Sequence, residues 1–137
     1  MVFIIMSEIY KNRHSAYNLH VHLVFITKYR KKVLADNHRQ YFKEVVAEIC
    51  KDFGAELKEC NGEGDHVHML IQYPPTVQLS KMVNNLKSVT SRRMRANFID
   101  LRAAYNKPVL WSRSYFAGSC GGAPLEIIKQ YIQNQQS

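Results

Sequence analysis

The sequence predicts an α+β fold: a single-domain two-layer sandwich with one mainly antiparallel sheet and helices on one face, of the split βαβ or ferredoxin-like kind. Three observations lead there. The chain has 137 residues, 46% of them hydrophobic, which is enough for one core and too little for two. Segments rich in β-branched and aromatic residues alternate with segments whose apolar residues recur at helical spacing. The resulting order is strand, helix, strand, strand, helix, strand, helix, and strand pairs separated by helices favour an antiparallel sheet. No internal repeat, low-complexity tract or linker divides residues 1–137, so they read as one domain.

Met1 to Met6 is apolar but has no basic leader and is far shorter than a signal core or a membrane span. Residues 1–13 are expected to be a flexible segment or an edge strand, Met6 is a second possible initiator, and no membrane partner is expected. His20 to Thr27 reads as a buried strand, followed by the basic turn Lys28 to Lys32. Asp36 or Asn37 can cap a helix whose apolar positions are Phe42, Val45, Val46, Ile49 and Phe53, with Gly54 as its stop. Ala55 to Cys60 and His66 to Tyr73 read as paired strands around a turn at Asn61-Gly62-Glu63-Gly64. After Pro74-Pro75, a helix from Val77 to about Asn97 turns Leu79, Met82, Val83, Leu86, Val89 and Met94 inward. A further strand is expected within Pro108 to Phe116. Residues 117–123 then form a glycine-containing hinge, at Gly118, Gly121 and Gly122, into a helix over 124–137 that starts at Pro124.

Chemistry concentrates in Gly64-Asp-His-Val-His-Met-Leu-Ile71. In a strand successive side chains alternate faces, so His66 and His68 project together while Val67, Met69 and Ile71 point the other way. Two imidazoles on one face are half of a metal site. In the last helix Tyr131 and Gln135 lie four residues apart on one face, which adds a nucleophile and an amide oxygen suited to a hard cation. A His-hydrophobe-His strand with one helical tyrosine points to DNA strand cleavage. The triplet His20-Val21-His22 repeats the pattern inside the first strand, where hydrogen-bonded structural histidines are the expected reading.

Nineteen Lys and Arg against eleven Asp and Glu give a net charge of +8, which favours a polyanionic partner. The outer side of the helix ending near Asn97 collects Lys81, Lys87, Arg92, Arg93 and Arg95 among Asn and Ser, a mixture suited to phosphates. With Lys28, Arg30 and Lys31 these are the candidate nucleic-acid contacts. Three widely spaced cysteines, Cys50, Cys60 and Cys120, form no metal or disulfide pattern and fit a reduced cytoplasmic protein.

Gly64-Asp-His-Val-His-Met-Leu70, Leu110-Trp-Ser-Arg-Ser-Tyr-Phe116 and Gly121-Gly-Ala-Pro-Leu-Glu126, followed by Tyr131 and Gln135, closely resemble the single-tyrosine HUH transposases of the smallest bacterial and archaeal insertion sequences. Ile26-Thr-Lys-Tyr-Arg30 is similar too, and the likeness runs from about Tyr17 to Gln135. The resemblance implies the HUH nuclease fold with a mobile tyrosine helix, and a homodimeric enzyme that cuts and rejoins single-stranded DNA bearing hairpins. It implies His66, His68 and Gln135 as ligands of Mg²⁺ or Mn²⁺, Tyr131 as the nucleophile that takes the 5′ phosphate, and active sites shared between subunits.

Two rival readings come from other classes. A catalytically inactive or domesticated relative would keep the basic surface and bind hairpins, against which stands retention of both histidines, Tyr131 and Gln135. An iron-dependent oxygenase would need a carboxylate beside the two histidines. Asp65 adjoins His66 in sequence and is expected to point to the opposite strand face.

Overall fold

The computed structural model describes residues 10–11, 16–119 and 131–134. Four strands form an antiparallel sheet in the order β4-β5-β3-β6: β3 (His20–Ile26) and β5 (His66–Gln72) at its centre, β4 (Glu56–Glu63) and β6 (Phe116–Ser119) at its edges. A separate pair, β1 (Tyr10–Lys11) and β2 (Ala16–Tyr17), precedes it. Among the described residues, three α-helices, α1 (Asp36–Asp52), α2 (Leu79–Asn97) and the short α3 (Ile99–Ala103), and a 3₁₀ turn (Lys28–Arg30) complete the named elements.

The strand period of two divides the sheet into two unlike faces. Val21, Leu23 and Phe25 of β3 join Val67, Met69 and Ile71 of β5 in the main core, against Phe42, Val45, Val46 and Ile49 of α1 and Met82, Val83, Leu86 and Met94 of α2. Each such side chain, removed from water, contributes about 1.5–3 kcal/mol. Trp111 packs between Phe25 and Phe42 at ring distances of 5.6 and 5.5 Å, and its indole N–H donates to Thr90 Oγ1 at 3.0 Å. The opposite face carries His20, His22, Val24 and Ile26 of β3 and His66 and His68 of β5. Among the described residues a small apolar group forms there: Val24 and Ile26 with Phe116, Tyr131 and Ile132. The helical residues 131–134 therefore sit across the sheet from α1 and α2, not beside them.

Several boundaries differ from the sequence expectation for local reasons. Asp36 is the first residue of α1 rather than its cap, and the Ala35 N–H is satisfied by His38 Nδ1 at 2.9 Å. Gly54 does stop this helix, at φ +70°. A turn from Pro74 to Val77, closed by a 3.1 Å bond between the Val77 N–H and the Pro74 carbonyl, delays α2 to Leu79. The strand expected before Phe116 is reduced to one bridge between Thr27 and Trp111, because Lys87 Nζ takes the carbonyls of Ser112 and Arg113 at 2.7 and 2.8 Å. The ladder resumes at Phe116 and runs to Ser119, so Gly118 lies in β6 opposite His22 and not in a hinge. Gly121 and Gly122 fall outside the described residues.

Candidate active site

The hairpin that carries the histidines is tighter than its composition suggests. β4 runs on through Asn61-Gly62-Glu63, leaving a turn of only Gly64 and Asp65, and the register pairs Glu63 with His66, Gly62 with Val67 and Asn61 with His68. Glycine at 62 makes this approach possible, since a Cβ there would stand 2.4 Å from the His66 carbonyl oxygen and 3.0 Å from Val67 Cα. The turn is tied to the chain leaving β3. The Asp65 carbonyl accepts from the Thr27 N–H at 3.0 Å and from Thr27 Oγ1 at 3.2 Å, and the Gly64 carbonyl from the Leu34 N–H at 3.0 Å.

That anchorage overturns the expected direction of Asp65. As a turn residue it does not follow strand alternation, and its Oδ1 lies 2.9 Å from His66 Nδ1 while its Oδ2 accepts from Arg30 Nε and Nη2 at 3.4 and 3.3 Å. Burial alone would raise the Asp65 pKa. The hydrogen bond and charge of His66 outweigh it, with help from Arg30, and hold the carboxyl below its ordinary value. An ionised carboxylate only accepts, so His66 Nδ1 is the donor in this bond, and Nε2 is the ring nitrogen left to ligate a cation when the ring is neutral. Metal-binding histidines are commonly fixed in this way. Glu63 approaches from the paired strand, and one donor atom each from Glu63, Asp65 and His66 lie within 4.8 Å of one another. His68 is half-buried, and its pKa is lowered first by burial and then by the nearby His66 and His22. It is therefore a neutral imidazole, the form that can ligate. Two imidazoles and a carboxylate are a donor set that fits a divalent cation.

A cleft of about 700 Å³ opens beside these residues, lined by Arg30, Lys32, Glu63, His66 and His68 and by Ile132 and Gln133 of the last helix. Arg30 Nη1 donates to the Gln133 carbonyl at 3.1 Å, linking that helix to the turn. Tyr131 stands on the same sheet face, its ring 5.5 Å from Phe116 and its hydroxyl donating to Ser114 Oγ at 3.1 Å. Gln135 falls outside the described residues. His20 and His22 lie farther along the same face, opposite Gln72 and Leu70.

The basic candidates divide into groups. Lys81 and Arg92 are exposed on α2. Arg93 pairs with Glu48 at 2.9 Å, and Arg95 Nε donates to Ser91 Oγ at 3.2 Å. Lys87 is committed to the carbonyls of Ser112 and Arg113, and burial lowers its pKa, so it serves the fold. Lys28 and Lys31 lean over the rings of Tyr29 and Tyr105 at 5.3 and 4.9 Å. Glu63, Asp65 and Ser114 were missed by the sequence reading. The Gly64-Asp65 dipeptide is a hairpin signal that could have located the turn, but nothing local marks Ser114.

Residues 15–135 match the family model for IS200-like transposases. The chain belongs to that family. It is 28% identical over 122 residues to the transposase for insertion sequence element IS200 of Salmonella typhimurium, covering 89% of this chain and 80% of that protein. It is 29% identical over 136 residues to the ISDra2 transposase TnpA of Deinococcus radiodurans, covering 98% and 97%. In structure it resembles a protein from Deinococcus radiodurans R1 described as a transposase, at TM-score 0.85 and 32% identity over 93% of this chain and 98% of the other. The fold also matches a REP-associated tyrosine transposase bound to a REP hairpin, at TM-score 0.55 and 10% identity over 90% and 67%. An IS200-like transposase is the single-tyrosine HUH type that the motifs resemble. Family membership, not strand geometry, sets aside the oxygenase reading, because the carboxylates that reading requires do stand beside His66. Among the described residues no helix is long and apolar enough to cross a membrane.

Proposed function

We propose that this IS200-like transposase cuts and rejoins single-stranded DNA at insertion-sequence ends through a 5′-phosphotyrosine at Tyr131. The observation that carries the reading is the shared sheet face: His66, with its Nδ1 bonded to Asp65, and His68 on one side, Tyr131 on the other. Tyr131 Oη attacks the scissile phosphorus, the bond to the 3′ oxygen breaks, and the departing oxygen takes up a proton as a 3′ hydroxyl. A second 3′ hydroxyl reverses the step and frees Tyr131, so the phosphodiester energy is conserved and no ATP is needed. A free tyrosine has a pKa near 10, so the hydroxyl must leave Ser114 and lose its proton as it attacks.

His66 and His68, with Gln135 as the third ligand that the family resemblance implies, would hold a divalent cation, Mg²⁺ or Mn²⁺, which would supply positive charge to the phosphate. Asp65 orients the His66 ring, and Arg30 ties the turn to the tyrosine helix while adding a cation to the cleft. Lys28, Arg30, Lys31, Lys81, Arg92, Arg93 and Arg95 are assigned to the DNA backbone. Hairpin recognition is supported by the fold shared with a transposase bound to a REP hairpin, and a dimer with Tyr131 serving the partner's histidines by the family resemblance. The test is incubation of a hairpin-bearing single strand with the protein and Mn²⁺. A free 3′ hydroxyl fragment and a protein-linked fragment are expected; hairpin binding without either product would favour the inactive, binding-only relative.

A further inference from the structure

The turn that supplies Arg30 to the cleft has a second side. Residues Lys28–Arg30 form a single 3₁₀ turn in which Tyr29 and Arg30 adopt φ of +61° and +53°, a conformation that turns neighbouring side chains in different directions. Arg30 faces the cleft of the histidines, whereas Lys28, Tyr29 and Lys31 line a separate pocket of about 330 Å³ with Tyr105, Lys107 and Arg113. Four of those six residues are cationic, and among the described residues no carboxylate lines the pocket. Tyr29 is 59% exposed, a large aromatic ring facing solvent, and lies 6.5 Å from Tyr105, which is buried and donates its hydroxyl to the Lys28 carbonyl at 2.9 Å. Burial pushes the Tyr105 pKa up to about 12, so its hydroxyl stays protonated and keeps that bond. A solvent-facing ring ringed by cations has no role in the core of the sandwich. It matches the chemistry of single-strand binding, in which cations follow the phosphates and an aromatic ring stacks on a base.

We infer that this pocket holds one unpaired nucleotide of the DNA strand, its base stacked on Tyr29 and its phosphates between Lys28, Lys31, Lys107 and Arg113. The inference rests on the proposed action on single-stranded DNA and adds where the strand goes on leaving the cleft: over Arg30 and into the next pocket. Because every base has a stacking face, the pocket accepts any base and fixes the path of the strand, not its sequence.

Oligothymidylate carrying 5-iodouracil is the probe. Irradiated with the wild-type protein, it should crosslink to Tyr29, which peptide mass spectrometry locates. Tyr29→Phe keeps the ring and should bind the probe as wild type does. Tyr29→Asn removes the ring but tolerates positive φ, and should bind about 5- to 150-fold more weakly. Lys107→Ala should lower the salt slope of binding by about 0.7, one phosphate's share. Crosslinks confined to other residues, or Tyr29→Asn binding as tightly as wild type, would overturn the inference; the wild-type crosslink needs no variant to fold. Covalent adduct formation on a hairpin substrate separates the two readings. Wild-type protein that forms the adduct but never crosslinks through Tyr29 defeats the pocket alone, and protein that crosslinks through Tyr29 without forming adduct defeats strand cleavage alone.

Discussion

Asp65 carries the most information per atom in this site, because it joins three elements: its Oδ1 meets His66, its Oδ2 meets Arg30, and its carbonyl meets Thr27. Removing its charge while keeping its shape, by Asp65→Asn, should leave the fold intact and weaken Mn²⁺ binding about 10- to 100-fold, as for other partners of metal-bound histidines; calorimetric titration reads this, and unchanged affinity would deny Asp65 an orienting role. His66→Ala and His68→Ala should each abolish metal-dependent cleavage, with His20→Ala and His22→Ala altering stability at most, which a cleavage assay beside thermal melts distinguishes. Cys50 and Cys60 behave oppositely to reactive thiols. Burial pushes Cys50 up to about 12, helped by Cys60, and Cys60 up to about 11 despite Lys43. An unfolded thiol ionises near 9, so the stability that these protonated thiols support is complete below that pH and is lost as pH rises toward 11 and 12. Alkylation of native protein at pH 8 should therefore spare Cys50 and Cys60, and urea midpoints should fall between pH 9 and 11. The facing of His66 and His68 was legible from sequence because strand period decides it. The direction of Asp65 was not, since it depends on where the strand ends and the turn begins.

At the scale of elements, the β4–β5 hairpin and the segment held by Lys87 decide whether the site is assembled. Gly62→Ala would drive a methyl into the His66 carbonyl and Val67 Cα, both backbone and unable to yield, and should cost about 1–3 kcal/mol and most of the cleavage activity. At Gly64 the nearest atom is the side chain of Lys32 at 3.2 Å, so Gly64→Ala should be milder; denaturant melts of the two variants provide the comparison. Lys87→Met removes the donor shared by the Ser112 and Arg113 carbonyls and should lower stability by about 1.5–3 kcal/mol without changing the salt slope of DNA binding. A reduced slope would instead return Lys87 to the DNA surface. Both main helices and the central strands could be read from periodicity, because their apolar stripes are long. The delayed strand at Phe116, with Gly118 inside it, could not, because a side chain from α2 sets where pairing resumes.

In the described residues the molecule is a sheet with two unlike faces, one covered by α1 and α2 and one that carries histidines, cleft and tyrosine. The antiparallel sandwich and the family were legible in the ordered motifs from His66 to Tyr131; the bond holding Tyr131 to Ser114 was not, since it joins residues 17 positions apart with no local signature. With a net charge of +8, affinity for a hairpin-bearing single strand should fall with salt at about −0.7 in log–log slope per phosphate neutralised, and salt-insensitive binding would contradict a backbone-led interface. If Tyr131 serves a partner subunit, mixing Tyr131→Phe with His66→Ala protein should restore cleavage that neither has alone, because one site of each mixed dimer lacks both defects. No recovery in mixtures proven to exchange subunits would confine each site to one chain. The most direct measurement of the central claim is peptide mapping of the protein–DNA adduct formed on a 5′-labelled and a 3′-labelled hairpin substrate. A 5′ phosphate joined to Tyr131, with Tyr131→Phe folded, able to bind the hairpin and free of adduct, is the predicted result; an adduct that persists in Tyr131→Phe, or maps to Tyr105 or Tyr115, would contradict it.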